Sequence, residues 1–140
     1  MTKNLRPFHL AFPVRDLNET KKWYTTVLGC LIGRESSKWV DFNLFGHQIV
    51  AHLSDKIDLL NTSEVDGENV PVRHFGVILT PIEWNELKEK FILNKVKFII
   101  KPTVRFKGTK GEQFIMFIKD PSGNALEFKS FIDDKMIFQK

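Results

Sequence analysis

The stretch Val72-Arg73-His74-Phe75-Gly76-Val77-Ile78-Leu79-Thr80-Pro81-Ile82-Glu83 restarts an order of elements already met near the N-terminus. An apolar, strand-like run ends at Leu79, and a helix opens with three signals together. Thr80 is the cap, Pro81 takes the first helical position, and Glu83 takes the third. Sixty-five residues before His74, the run Pro7-Phe8-His9-Leu10-Ala11-Phe12-Pro13-Val14 reads as a short apolar strand. Asp16-Leu17-Asn18-Glu19 then opens a helix, with Asp16 as cap and Glu19 at the capping-box position. The caps follow His9 and His74 by 7 and 6 residues. The chain therefore reads as two copies of one unit.

Working outward, each helix is followed by three strands. In the first copy, Leu17, Trp23, Tyr24, Val27 and Leu28 recur at helical spacing, and Gly29 stops the helix. Strands are predicted at 31–33, 38–44 and 47–53, with a turn at Phe45-Gly46. In the second copy, Trp84, Leu87 and Phe91, with the stem of Lys88, give the helix an apolar face, and Asn94 ends it. Strands are predicted at 97–101, 113–119 and 125–131. Asp120-Pro121-Ser122-Gly123-Asn124 is a turn by its chemistry. The segment 54–71 is polar and weakly patterned, a connector long enough to cover a site. The expected fold is one α+β domain over 1–140. Module one spans about 6–53 and module two about 72–132, and together they form a curved, open eight-stranded mixed sheet with helices outside.

Composition fits this reading and narrows the function. Of 140 residues, 42% are hydrophobic and 27% charged, the mix of a soluble globular domain. Thirteen phenylalanines suit strands packed on helices. No apolar run reaches the length of a membrane helix, and the N-terminus has no hydrophobic stretch of a secretory signal. One cysteine, Cys30, leaves no internal disulfide and suits a reducing cytoplasm. The net charge of +4, with pI near 9.2, is scattered too thinly for a nucleic-acid face. Small-molecule binding is the expectation, with a homodimer as the assembly.

The first and last strands of each unit pair centrally, so their side chains can converge. His9, His74 and Glu127 lie on three of those four strands. Two imidazoles and one carboxylate form the facial triad that leaves coordination positions open on iron(II), and the same donors suit manganese, zinc or nickel. A lone strand histidine or an alternating glutamate is a weak signal. The combination is stronger, because both histidines fall at the same point of the repeat. Counting from the glycine turn, the counterpart of Glu127 in module one is Val50, which binds no metal. His52, two residues on, shares its face, and is expected as a proton-transfer base or a fourth ligand. His47 has the opposite parity and reads as a turn residue. The basic segment from Val104 to Gln113 reads as a loop before a strand, with Arg105, Phe106 and Gln113 as candidate substrate contacts.

The chain resembles the vicinal oxygen chelate superfamily, which includes glyoxalase I, bleomycin- and fosfomycin-resistance proteins and extradiol dioxygenases. The matching segments are His9-Leu10-Ala11-Phe12-Pro13-Val14-Arg15-Asp16-Leu17 with Trp23-Tyr24 and Leu28-Gly29, then Arg73-His74-Phe75-Gly76-Val77, then 117–129 with its Asp120-Pro121-Ser122-Gly123-Asn124-Ala125-Leu126-Glu127-Phe128 core. The resemblance implies a paired βαβββ fold with a metal held by His9, His74 and Glu127. Glyoxalase I carries a fourth, carboxylate ligand where this chain has Val50. Bleomycin-resistance proteins have lost the ligands that are present here. Extradiol dioxygenases use two histidines and one glutamate. The resemblance thus implies a dioxygenase-like oxidoreductase first, a glyoxalase-type lyase or isomerase second, and a drug-sequestering binding protein third.

Overall fold

The structure, a computed structural model, describes residues 4–58 and 61–140. Leu59 and Leu60 of the expected connector, and Met1, Thr2 and Lys3 of the N-terminal lead, lie outside the described residues. The chain divides into two compact units, Met1–Ile57 and Asp58–Lys140. Each is one copy of the repeat, and the fold is α+β. Among the described residues, no helix is long and apolar enough to cross a membrane.

The first unit runs β1 (His9–Val14), α1 (Leu17–Leu28), β2 (Leu31–Glu35), β3 (Trp39–Leu44) and β4 (His47–Leu53). Its sheet has the order β1-β4-β3-β2, with β1 parallel to β4 and the rest antiparallel. Asp16 caps α1 by accepting from the Glu19 amide at 2.8 Å, and Gly29 ends it at φ 69°. Thr20, Tyr24, Val27 and Leu28 form the buried stripe of the helix. Tyr24 is fully buried, tilted on Phe12 and stacked on Phe42 at 5.0 Å. That aromatic stack ties the helix to one face of the sheet. The other face carries His9, Ala11 and Pro13 beside their register partners Gln48, Val50 and His52.

The second unit runs β5 (Asn61–Val65), β6 (Glu68–Val72), β7 (Ile78–Leu79), α2 (Pro81–Leu93), β8 (Phe98–Arg105), β9 (Gln113–Lys119) and β10 (Ala125–Ser130). Its main sheet has the order β7-β10-β9-β8, and β5 and β6 pair separately as a hairpin. The capping box is complete: the Glu83 amide donates to Thr80 Oγ1 and the Thr80 amide to Glu83 Oε2. Trp84, Leu87 and Phe91 are buried, and Trp84 Nε1 donates to the Phe128 carbonyl at 2.9 Å, fastening α2 to β10. In the turn before β10, Asp120 Oδ1 accepts from the Ser122 and Asn124 amides.

Three expectations need correction. The connector is not featureless: residues 61–72 form a hairpin closed by Asp66-Gly67, both at positive φ. Asp-Gly between alternating residues is a strong two-residue hairpin signal. The strand expected at 72–79 shrinks to Ile78–Leu79, because Val72 pairs in β6. Beyond them, Phe75 makes a single bridge to Leu126. Finally, β8 continues past residue 101 to Arg105. As an edge strand with register shifts it tolerates Pro102.

Candidate functional site

In the second unit, the chain on either side of Phe75 is clamped to β10. The Phe75 amide donates to the Ala125 carbonyl at 3.2 Å, and the Glu127 amide donates back to the Phe75 carbonyl at 2.9 Å. Gly76 makes the approach possible, since a Cβ there would lie 1.6 Å from the Glu127 carbonyl oxygen. The clamp sets His74 against the Glu127 side chain. His74 Nε2 lies 3.0 Å from Glu127 Oε2. His74 Nδ1 lies 2.6 Å from the Pro71 carbonyl, which can only accept, so Nδ1 carries the proton. The ring stands edge-on to Phe117 at 4.9 Å.

Glu127 is 8% exposed. Burial alone would raise its pKa, but the His74 hydrogen bond and the Lys129, His74 and Arg105 charges together hold it below the usual carboxylate range. Lys129 Nζ is 3.6 Å from Glu127 Oε1. The hydrogen bond to Glu127 raises the His74 pKa, against partial burial and with help from the Pro71 carbonyl. The pair is a charge-assisted hydrogen bond between two good metal donors.

Arg105 and Gln113 are register partners on β8 and β9. Arg105 is therefore a strand residue rather than part of a loop, and it is 5% exposed. Its Nη2 is buried without a protein hydrogen-bond partner, and the Glu68 carboxylate of the hairpin stands 3.8 Å away. Gln113 is buried, and its amide donates to the Gly111 carbonyl. Phe106 is 37% exposed, and its amide donates to Asp66 of the hairpin turn. Val70 of the hairpin packs with Ile100, Ile115 and Phe117 of the main sheet. These three sheet residues share the register of Glu127 and Gln113, so the hairpin lies over the face that carries the site residues.

In the first unit, His9 heads a polar chain. His9 Nδ1 is 2.8 Å from Gln48 Oε1, and Gln48 Nε2 donates to Asp41 Oδ2 at 3.4 Å. Asp41 is 8% exposed, with Arg34 Nε 3.8 Å from the same oxygen. Gln48, Asp41 and Arg34 line an open cavity of about 490 Å³ together with Gly33 and Asn43 among others. Neither Gln48 nor Asp41 was expected from sequence. The available signal was Asp41 inside the otherwise apolar run Trp39-Val40-Asp41-Phe42, at a position whose alternation places it on the His9 face.

The register supports the count that equates Val50 with Glu127. Ala11 faces Val50, two residues beyond His9, as Gly76 faces Glu127, two beyond His74. His52 shares that face but pairs with Pro13 and Trp39. It lies four residues beyond Gln48, roughly 13 Å along the strand. A separation of that size stretches two histidine side chains to their full reach if they are to share one ion, which favours the proton-transfer role for His52. His47 Nδ1 accepts from the Phe8 amide at 2.9 Å, a strand-end contact.

Among the described residues, no group of three or more His, Cys, Asp or Glu side chains stands close enough to hold a metal ion. His74 and Glu127 are the part of the expected triad that the structure brings together, and His9 belongs to the first unit. In His9 and in His74, Nδ1 is tied by an oxygen, the arrangement in which Nε2 is the nitrogen that a metal would take.

The sequence profile described as "Glyoxalase/Bleomycin resistance protein/Dioxygenase superfamily" matches residues 6–128. A crystal structure of a glyoxalase/bleomycin resistance protein/dioxygenase from Alicyclobacillus acidocaldarius is 35% identical, with TM-score 0.83, over 99% of this chain and 100% of that one. The fosfomycin resistance protein FosX from Listeria monocytogenes is 18% identical, with TM-score 0.68, over 97% and 98%. A virulence protein from Salmonella typhimurium is 20% identical, with TM-score 0.64, over 93% and 99%. The last two are likenesses of fold. No curated protein is matched by the sequence.

Proposed function

From the premise that this chain belongs to the glyoxalase/bleomycin resistance protein/dioxygenase superfamily, we propose that it is a metal-dependent enzyme with His9, His74 and Glu127 as ligands. The substrate is a small molecule that chelates through two neighbouring oxygens, and the reaction is of the dioxygenase type. The observation that carries this reading is the His74–Glu127 pair, 3.0 Å apart, with the far nitrogen of the ring already fixed. Iron(II) is the first choice, and manganese, zinc or nickel would accept the same donors. Such an ion, when bound, supplies open coordination positions and draws charge from the substrate oxygens.

The remaining chemistry falls to side chains. Arg105 offers a buried guanidinium nitrogen for an anionic substrate oxygen. Gln113 beside it offers an amide for a neutral one, and Phe106 contributes apolar surface near the hairpin turn. His52 exchanges a proton with the substrate rather than binding the ion. Val50, in place of a carboxylate, argues against the glyoxalase type of proton transfer.

The test is metal analysis of protein purified without chelator, followed by anaerobic iron(II) loading and oxygen uptake with a series of catechols. Near-stoichiometric metal and substrate-dependent oxygen consumption are expected. Metal with turnover under nitrogen would assign a lyase or isomerase instead. No metal uptake would return the chain to the small-molecule binders.

A further inference from the structure

We propose that Asp41 is a positioning residue that acts through Gln48 to fix the tautomer of His9. The proposal rests on the reading of His9 as a metal ligand. A neutral imidazole binds metal through the nitrogen that lacks the proton, so the proton must be on Nδ1 if Nε2 is the donor. Gln48 alone does not ensure this, because its amide presents an acceptor in one orientation and a donor in the other. Asp41 breaks that symmetry. Its carboxylate accepts, so the Gln48 NH₂ turns toward Oδ2 at 3.4 Å and the carbonyl Oε1 is left facing His9 Nδ1 at 2.8 Å. The direction then runs one way: His9 donates to Gln48, and Gln48 donates to Asp41.

Local structure keeps the relay in place. Gln48 is the register partner of His9 on β1 and of Asn43 on β3, and Asp41 lies two residues from Asn43 on the same face. Asp41 is 8% exposed, and Arg34 supplies a countercharge at 3.8 Å. Gly33 on the neighbouring strand leaves it room, since a Cβ there would lie 3.3 Å from the Asp41 Cβ. A buried aspartate in an apolar strand is costly without a partner, and the relay gives it one. In the second unit the Pro71 carbonyl does the same for His74 directly. A carbonyl of the main chain cannot flip, so no relay is needed there.

The test uses the full chain and two variants. Asp41→Asn keeps the size but removes the acceptor-only character. Asp41→Asn with Gln48→Glu exchanges carboxylate and amide, so that the asparagine donates, the glutamate accepts and the direction at His9 is restored. Nitrogen-15 spectra of the metal-free proteins report the His9 tautomer, and titration with zinc reports affinity. The wild type is expected to show Nδ1–H at His9. Asp41→Asn is expected to lose that single tautomer and bind zinc about tenfold or more weakly. The double variant is expected to regain the tautomer and come back to within about threefold of wild-type affinity. A single Asp41→Asn variant with unchanged tautomer, or a double variant no better than the single, would overturn the relay. A wild-type chain that takes up no zinc would remove the metal reading, and the tautomer comparison would still decide the relay.

Discussion

Glu127 is buried, yet His74, Lys129 and Arg105 together keep its pKa below the ordinary 4.5, while the pKa of His74 is raised above 6.5. The two shifts fix the sign of a pH effect in the metal-free protein. The Glu127 contribution to stability is present above pH 4.5 and lost as pH falls through its lowered value. The His74 contribution is complete below pH 6.5 and lost as pH rises through its raised value. Urea unfolding across pH is therefore expected to show a stability maximum between 4.5 and 6.5, which Glu127→Gln flattens. A metal competes with the proton for Nε2, so metal uptake should strengthen as pH rises through the same range. His47→Ala tests the opposite case. It should leave metal content unchanged and cost about 1 kcal/mol for the lost Phe8 hydrogen bond. His52→Ala should reduce turnover with the metal retained.

Between His74 and Glu127 stands an element reduced almost to nothing: β7 has two residues, and the approach of Gly76 to β10 does the rest. Gly76→Ala puts a methyl group into backbone. It is expected to cost on the order of 3 kcal/mol, at the upper end for an overpacked site, and to lower metal affinity by parting His74 from Glu127. Thermal unfolding and metal titration check the two effects. At this scale much was legible in sequence. Both helices and their caps follow from Asp16 with Glu19 and from Thr80 with Glu83, because capping is local chemistry. Residues 73–77 look like a strand in sequence, but among them Phe75 alone bridges β10 before β7 begins. Asp66-Gly67 marks the hairpin, but polar Thr62, Ser63 and Glu64 hide the alternation that turns Val65 and Val70 to the core. The Asp41–Gln48 pair depends on strand register, which a single sequence does not display.

At the scale of the whole molecule, the repeat gives two four-stranded sheets with the same parallel pairing of first and last strand. It thus places His9 and His74 at like positions. Among the described residues, β1 and β2 end the order of the first sheet and β7 and β8 that of the second, and a twofold homodimer is the proposed assembly. Of the C-terminal segment considered as cover for a partner, Phe131 is buried, whereas Ile132 and Phe138 are 66% and 90% exposed. Sedimentation at micromolar concentration should give twice the 16.3 kDa of the chain, and a species of 16.3 kDa alone would reject the dimer. The proposed function requires one ion with His9, His74 and Glu127 as its proposed ligands. Anaerobic equilibrium dialysis against iron(II), with metal counted per chain, tests it most directly. The expected result is close to one iron in the wild type and far less in His9→Ala, His74→Ala and Glu127→Gln proteins that remain folded. A wild type without iron, or three variants that bind it as the wild type does, would contradict the account.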